Sequence, residues 1–156
     1  MFSTVVVALD GSDASERTLP VLRELTGPDG VRVEIVHVRE RLVGRPGGPL
    51  HVNEDELTDR VKAQADELAR AGYDTHLHIE PTVGTQPAHI IAEHAKKCGA
   101  DLIITGTRGH GPVAGLLLGS VATRLLHVAP CPVVVVPANV PDVTGPRKAA
   151  TATTTA

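Results

Sequence analysis

The segment "STVVVALDGSDASERTLPVLRELTGPDGVRVEIVHV", residues 3–38, decides the fold class. It begins with an apolar run rich in valine (3–9), continues with a helical pattern, and ends with a second apolar run (31–38). A strand, a helix and a strand in this order are typical of a βαβ unit, in which the helix crosses over between two parallel strands. The segment therefore predicts an α/β fold.

The rest of the chain repeats this alternation. Three more strand-like runs lie at 74–80, 101–106 and 132–137, and helical patterns lie between the runs. The first, fourth and fifth runs are continuously apolar, as expected for strands that are covered on both faces. We therefore predict a doubly wound, five-stranded parallel sheet of order 3-2-1-4-5, with helices on both faces.

The helical patterns carry end signals. In the first, Asp13 and Glu16 have the spacing of a capping box, while Pro20 predicts a kink or a late start. The clearest helix, 53–72, has four apolar residues on one face, Leu57, Val61, Ala65 and Leu68.

Two segments are expected to lie outside the packed core. The stretch 40–52 is rich in glycine and proline and predicts a loop, and 139–156 loses apolar periodicity. We predict one domain, 1–138, followed by a flexible tail, 139–156.

Composition excludes several classes of function. The chain has one Phe, one Tyr and no Trp, and its net charge is −3, so neither a stacking platform nor a basic surface for nucleic acid is expected. No apolar run has the length of a membrane span. Cys98 and Cys131 match no metal or redox spacing, and we predict a cytoplasmic protein.

Residues 106–120, "GTRGHGPVAGLLLGS", form a glycine-rich loop after the fourth strand. In the predicted order, strands 1 and 4 flank the point where the winding reverses, which is where such sheets bind ligands. The loop is no Walker P-loop, because Pro112 and Val113 replace the Lys and the Ser or Thr of that motif. A plain connection and an anion cradle both remain open.

The spacing of Gly106, Gly109 and Gly119-Ser120 resembles the nucleotide-binding signature of the universal stress protein family. The segments "VVVALDGSDAS", "VEIVHV", "GADLIITGTRGHG" and "LLLGSVATRLLHVAPCPVVVVP" agree with that family in the same order, and the resemblance covers about residues 3–137. It implies the α/β fold described above and an adenine nucleotide ligand, which is ATP with or without Mg²⁺, or cyclic AMP in some relatives.

The resemblance also implies roles for individual residues. Asp10 would accept hydrogen bonds from the ribose or from the adenine side, or would only cap the first helix or hold the turn before it. The backbone of Val38, at the end of strand 2, would meet adenine. The phosphates would be held by Gly119, Ser120 and Val121, although Ser120 is equally compatible with an ordinary helix N-cap. The full predicted set is Ala8, Leu9, Asp10, Val38, Gly106, Arg108, Gly109, His110, Gly119, Ser120 and Val121.

Catalysis and metal binding are not predicted. The lysines Lys62, Lys96 and Lys97 fall on helix bodies, so we expect binding with at most slow ATP turnover. His94 and Cys98 share a helix face and His76 and His78 share a strand face, but each pair lacks evident further ligands. A weak ATPase or nucleotidyl transferase and a nucleotide-free interaction module are the alternatives. An apolar fifth strand at the sheet edge, together with the resemblance, predicts a homodimer.

Overall fold

The computed structural model describes residues 1–41, 53–83, 86–107 and 118–138. Within these ranges, five strands form one parallel sheet in the order β3-β2-β1-β4-β5. The strands are β1 (Thr4–Ala8), β2 (Arg32–Arg41), β3 (Asp74–Val83), β4 (Leu102–Gly106) and β5 (Val133–Val136). The predicted sheet and its strand order are confirmed.

The helices of the described residues cover both faces of the sheet, as predicted. They are α1 (Asp13–Glu16), α2 (Thr18–Leu25), α3 (Glu54–Arg70), α4 (Pro87–Cys98) and α5 (Ser120–Val128). Because side chains alternate along a strand, β1 sends Val5 and Val7 into one core and Val6 and Ala8 into the other. Helices α2 and α3 close the first core, and α4 and α5 close the second.

The first helical pattern is divided into two helices. Ser12, not Asp13, is the N-cap of α1, and its hydroxyl accepts a hydrogen bond from the amide of Ser15. A new helix starts at Thr18, which places Pro20 in the first turn, where the missing N–H removes no helical hydrogen bond. The predicted late start is confirmed, whereas the predicted capping residue is wrong by one position.

Strands β2 and β3 are longer than predicted. Their pairing continues through Arg39↔Pro81 to Arg41↔Val83, three residues beyond the predicted ends at 38 and 80. The predicted loop 40–52 therefore begins later, and residues 42–52 lie outside the described residues, as does the predicted tail 139–156. None of the described helices is long and apolar enough to cross a bilayer.

Candidate functional site

The carboxyl ends of β1 and β4 lie side by side, as the predicted order requires. Ala8 pairs with Val36 of β2 on one side and with Thr105 of β4 on the other. Gly106 follows Thr105 directly and pairs with Val136 of β5. The candidate site therefore lies at the carboxyl ends of these strands, at the point where the connections that follow β1 and β4 leave in different directions.

The turn after β1 is organised around Asp10. Its Oδ1 accepts hydrogen bonds from the amide of Ser12 at 2.9 Å and from the Ser12 hydroxyl at 2.6 Å. Gly11 between them has φ +79°, a left-handed conformation that glycine adopts without steric cost. The structure thus confirms the local role considered for Asp10, in which it holds the turn before α1.

Leu9 is a positioning residue. Its side chain is buried in the core beneath α2 and α3, and its amide donates to the carbonyl of Val36 at 3.1 Å. Its carbonyl accepts a hydrogen bond from Nδ1 of the buried His37 at 2.8 Å. These contacts fix the end of β1 against β2, and His37 is a contributor that the sequence patterns did not single out.

Val38 lies inside β2 and not at its end, which corrects the prediction. Its backbone nevertheless suits the predicted role. In a parallel strand the backbone polar groups of alternate residues point to the same side, and the carbonyl of Val36 points toward β1. The N–H and C=O of Val38 therefore point to that side too, beyond the last residue of β1.

The first turn of α5 is held against the end of β4. The amide of Gly119 donates to the carbonyl of Thr107 at 2.6 Å, and the amide of Thr107 donates to the carbonyl of Val136 at 2.8 Å. Gly119 is the N-cap and offers no side-chain cap, so Ser120 is the first helical residue and not the cap. The positive end of a helix therefore lies at the candidate site.

Three of the predicted residues meet in one apolar cluster. Ala8 of β1, Val38 of β2 and Val121 of α5 all pack into the core beneath α4 and α5. Arg108, Gly109 and His110 lie outside the described residues. Two surface grooves, of about 330 and 310 Å³, lie elsewhere, and none of the predicted site residues that the structure describes lines them.

A second polar cluster lies between the sheet and α4. Glu34 is 1% exposed, and its Oε2 lies 2.6 Å from Nε2 of His78 in β3 and 3.3 Å from Nε2 of His94 in α4. Burial raises the pKa of Glu34, but hydrogen bonds from both imidazoles and the charge of Arg32 outweigh it and hold the pKa below its ordinary value. The expectation that His94 lacks further candidate ligands is therefore wrong.

The comparisons with known proteins agree with this architecture. Residues 1–137 match the model of the universal stress protein family. The chain is 34% identical over 140 residues to the universal stress protein in the QAH/OAS sulfhydrylase 3′ region of Thermus aquaticus, covering 87% of this chain and 99% of that one. It is 31% identical over 147 residues to universal stress protein YxiE of Bacillus subtilis, with 87% and 99% covered.

One solved structure that is similar to this chain contains a bound ligand. The crystal structure of a universal stress protein in complex with cAMP superposes with a TM-score of 0.61 at 25% identity, over 88% of this chain and 98% of that chain.

Proposed function

Because this chain belongs to the universal stress protein family, we propose that it binds an adenine nucleotide, ATP, between the carboxyl ends of β1 and β4 and acts as a regulatory module in a stress response. A cytoplasmic location is part of the proposal, since both cysteines are free thiols, as is usual in a reducing compartment.

The convergence of the glycine-capped end of α5 with the ends of β1 and β4 carries the proposal. The hydrogen bond from Gly119 to Thr107 fixes that helix end beside β4, and Val121 packs into the cluster that contains Ala8 and Val38. A helix N-terminus favours anions through its unpaired N–H groups and its dipole. An adenosine phosphate has the required shape, with a flat, uncharged aromatic base at one end and negative charge at the other.

Each part of the ligand then has a partner. We assign adenine to the backbone of Val38, the ribose hydroxyls to the carboxylate of Asp10, and the phosphates to the amides of Gly119, Ser120 and Val121. The contacts of Asp10 with Ser12 are compatible with this role, because a carboxylate accepts about four hydrogen bonds. Gly106 and Gly109 would allow close approach of the backbone, and Arg108 and His110 would neutralise the outer phosphates.

Cyclic AMP is the second candidate ligand, and the relative crystallised with it is the observation that favours it. The two ligands differ in charge and in the demand for a cation. ATP carries a triphosphate that Mg²⁺ would accompany, whereas cyclic AMP carries one charged phosphate.

We infer binding without efficient catalysis. Phosphoryl transfer requires, besides cations at the γ-phosphate, a positioned nucleophile or base, and the carboxylate of Asp10 is already assigned to the ribose. The lysines of the described residues lie on α3 and α4, as predicted, away from the carboxyl ends of β1 and β4. Incubation with Mg²⁺ and ATP should give less than one turnover per minute, and several turnovers per minute would instead favour the ATPase or nucleotidyl transferase.

Calorimetric titration with ATP and with cyclic AMP tests the site. Asp10→Asn should weaken nucleotide binding by about tenfold or more, equivalent to about 1.4 kcal/mol, because the charged acceptor for the ribose is lost. Ser12→Ala is the matched control: it removes the helix cap and the hydroxyl contact with Asp10 but keeps the amide contact and the carboxylate. It should cost about 1 kcal/mol of stability and leave affinity within about threefold.

Two results would overturn this assignment. If the wild type binds both nucleotides more weakly than about 1 mM, the interaction module with an empty crevice becomes the better description. If Ser12→Ala and Asp10→Asn weaken binding equally, Asp10 acts only through the turn.

A further inference from the structure

The polar cluster of Glu34, His78 and His94 contains a carboxylate in an unusual place. Glu34 is the third residue of β2, which has paired strands on both sides, and its buried side chain reaches His94 of α4. A charged group buried among apolar side chains is costly unless other groups compensate it. Here two imidazoles, from β3 and from α4, face it.

The two imidazoles converge on one oxygen. Each presents its Nε2 to Oε2 of Glu34, and the two ring centroids are 4.2 Å apart with a 48° tilt. The other carboxylate oxygen, Oε1, is buried and has no hydrogen bond within the described part of the chain, although Nε of Arg32 lies 2.6 Å from it as an ion pair. Hydrogen bonding therefore satisfies only part of this carboxylate.

The three candidate ligand atoms all lie within 4.8 Å of one another. Zinc binds imidazole nitrogen and carboxylate oxygen at about 2.0–2.2 Å, so two ligands of one tetrahedral ion lie roughly 3.4 Å apart. The distance from Glu34 to His94, 3.3 Å, is already close to that value, and the distance to His78, 2.6 Å, is shorter. Side-chain rotation, with loss of the proton from each Nε2, would let all three atoms reach a common ion.

We propose that Glu34, His78 and His94 form a binding site for a divalent transition-metal ion, with Zn²⁺ as the best match. Two histidines and one glutamate are a known three-ligand set for zinc, in which water takes the fourth position. The imidazoles select against Mg²⁺ and Ca²⁺, which prefer oxygen ligands. The ion would tie together β2, β3 and α4.

The cluster has a route to solvent. The side chain of His78 is 34% exposed and that of His94 is 16% exposed. His94 also lines the groove of about 310 Å³, together with the acidic Glu80 and Glu93, His89 and Lys97. Cys98, one helical turn after His94, is the neighbouring thiol on α4.

This site is separate from the proposed nucleotide site. Glu34 precedes Val36 by two residues in β2. It therefore lies roughly 7 Å from Val36 along the strand, on the side away from the carboxyl ends of the strands where the nucleotide site is proposed. The metal site and the nucleotide site can therefore be tested independently of each other.

Titration of nucleotide-free protein with Zn²⁺, in competition with a chromophoric chelator, tests the proposal. We expect the wild type to bind one ion that Glu34→Gln, His78→Gln and His94→Gln each weaken at least about tenfold. His76→Gln and His89→Gln are controls, because these histidines lie outside the cluster, and Cys98→Ser is a third control, because its thiol is not one of the three ligand groups. All three controls should bind as the wild type does.

Two further measurements distinguish loss of the metal site from misfolding of a variant. Zn²⁺ should raise the Tm of the wild type but not of the three cluster variants, with circular dichroism verifying that each variant is folded. Co²⁺ should give the strong visible absorption of a four-coordinate site in the wild type only. Wild-type affinity weaker than about 100 µM, or cluster variants that bind like the wild type, would overturn the proposal.

Discussion

Gly11 lies in the turn after β1, where helix α3 approaches its backbone closely. Its φ of +79° is unfavourable for any side chain, and a Cβ there would lie 2.7 Å from the carbonyl oxygen of Leu57 in α3. The close approach of α3 keeps the Asp10 turn in place. Gly30 has a similar φ of +72° but no atom within 4 Å of a Cβ.

The pair allows backbone strain to be separated from steric contact. Gly30→Ala should lower the free energy of unfolding by about 1–2 kcal/mol, the cost of a left-handed alanine. Gly11→Ala should cost at least about 1 kcal/mol more, because the contact with Leu57 must also be relieved. Urea unfolding of both variants measures the difference, and equal losses would show that α3 moves away freely.

At this scale, the sequence predicted best the residues that belong to local motifs. Asp10, Gly106 and Gly119 stand at strand ends or helix starts, and the structure places them there. The Glu34 cluster was missed because His78 and His94 are 44 and 60 positions away from Glu34 in the sequence. The three residues meet only through strand pairing and helix packing. One signal was present, since a lone acid in an apolar strand near the centre of a sheet needs a partner.

At the scale of elements, the helices and strands were predicted more reliably than their ends. Apolar periodicity marked the buried faces, and all four predicted core residues of α3 are buried. Periodicity gave no sign that β2 and β3 continue, because polar residues such as Arg39 and Glu40 form the extension. Backbone pairing, which is insensitive to side-chain polarity, determines those last three residues.

The start of β1 is tied to the start of β4 by Asp101. Its carboxylate accepts hydrogen bonds from the Ser3 amide at 2.8 Å, the Ser3 hydroxyl at 3.0 Å and the Thr4 amide at 3.3 Å. Burial raises the pKa of Asp101, but these hydrogen bonds outweigh it and leave the pKa below its ordinary value.

This tie should make stability depend on acid. Because the folded-state pKa is lowered, the stabilisation is fully present above the unfolded pKa of about 3.9 and is lost as the pH falls through the folded value. Asp101→Asn should cost about 1–2 kcal/mol near neutral pH and should flatten the acid limb of the stability profile. Urea midpoints measured between neutral pH and the acid transition give both quantities, and an unchanged acid limb would contradict the assignment.

At the scale of the whole molecule, the two edges of the sheet differ in their suitability for pairing. The β3 edge carries charged and polar residues and Pro81, which discourage the addition of another strand. The β5 edge is a run of four valines, three of which are half-buried. We propose that two copies of the chain pair through β5, with two-fold symmetry.

Substitution by proline on β5 tests the dimer, because the strand has an inner and an outer set of backbone groups. The carbonyls of Pro132 and Val136 accept from Ile103 of β4 and from Thr107 just after it, so by alternation Val134 also faces β4. Val133 and Val135 face outward. Val135→Pro should remove an outward N–H and weaken the dimer at least about tenfold with little loss of monomer stability, whereas Val134→Pro should destabilise the fold itself. Light scattering across a concentration series measures the dimer, and thermal unfolding measures the fold. A wild type that is monomeric at micromolar concentration, or a Val135→Pro dimer as tight as that of the wild type, would contradict pairing of two copies through β5.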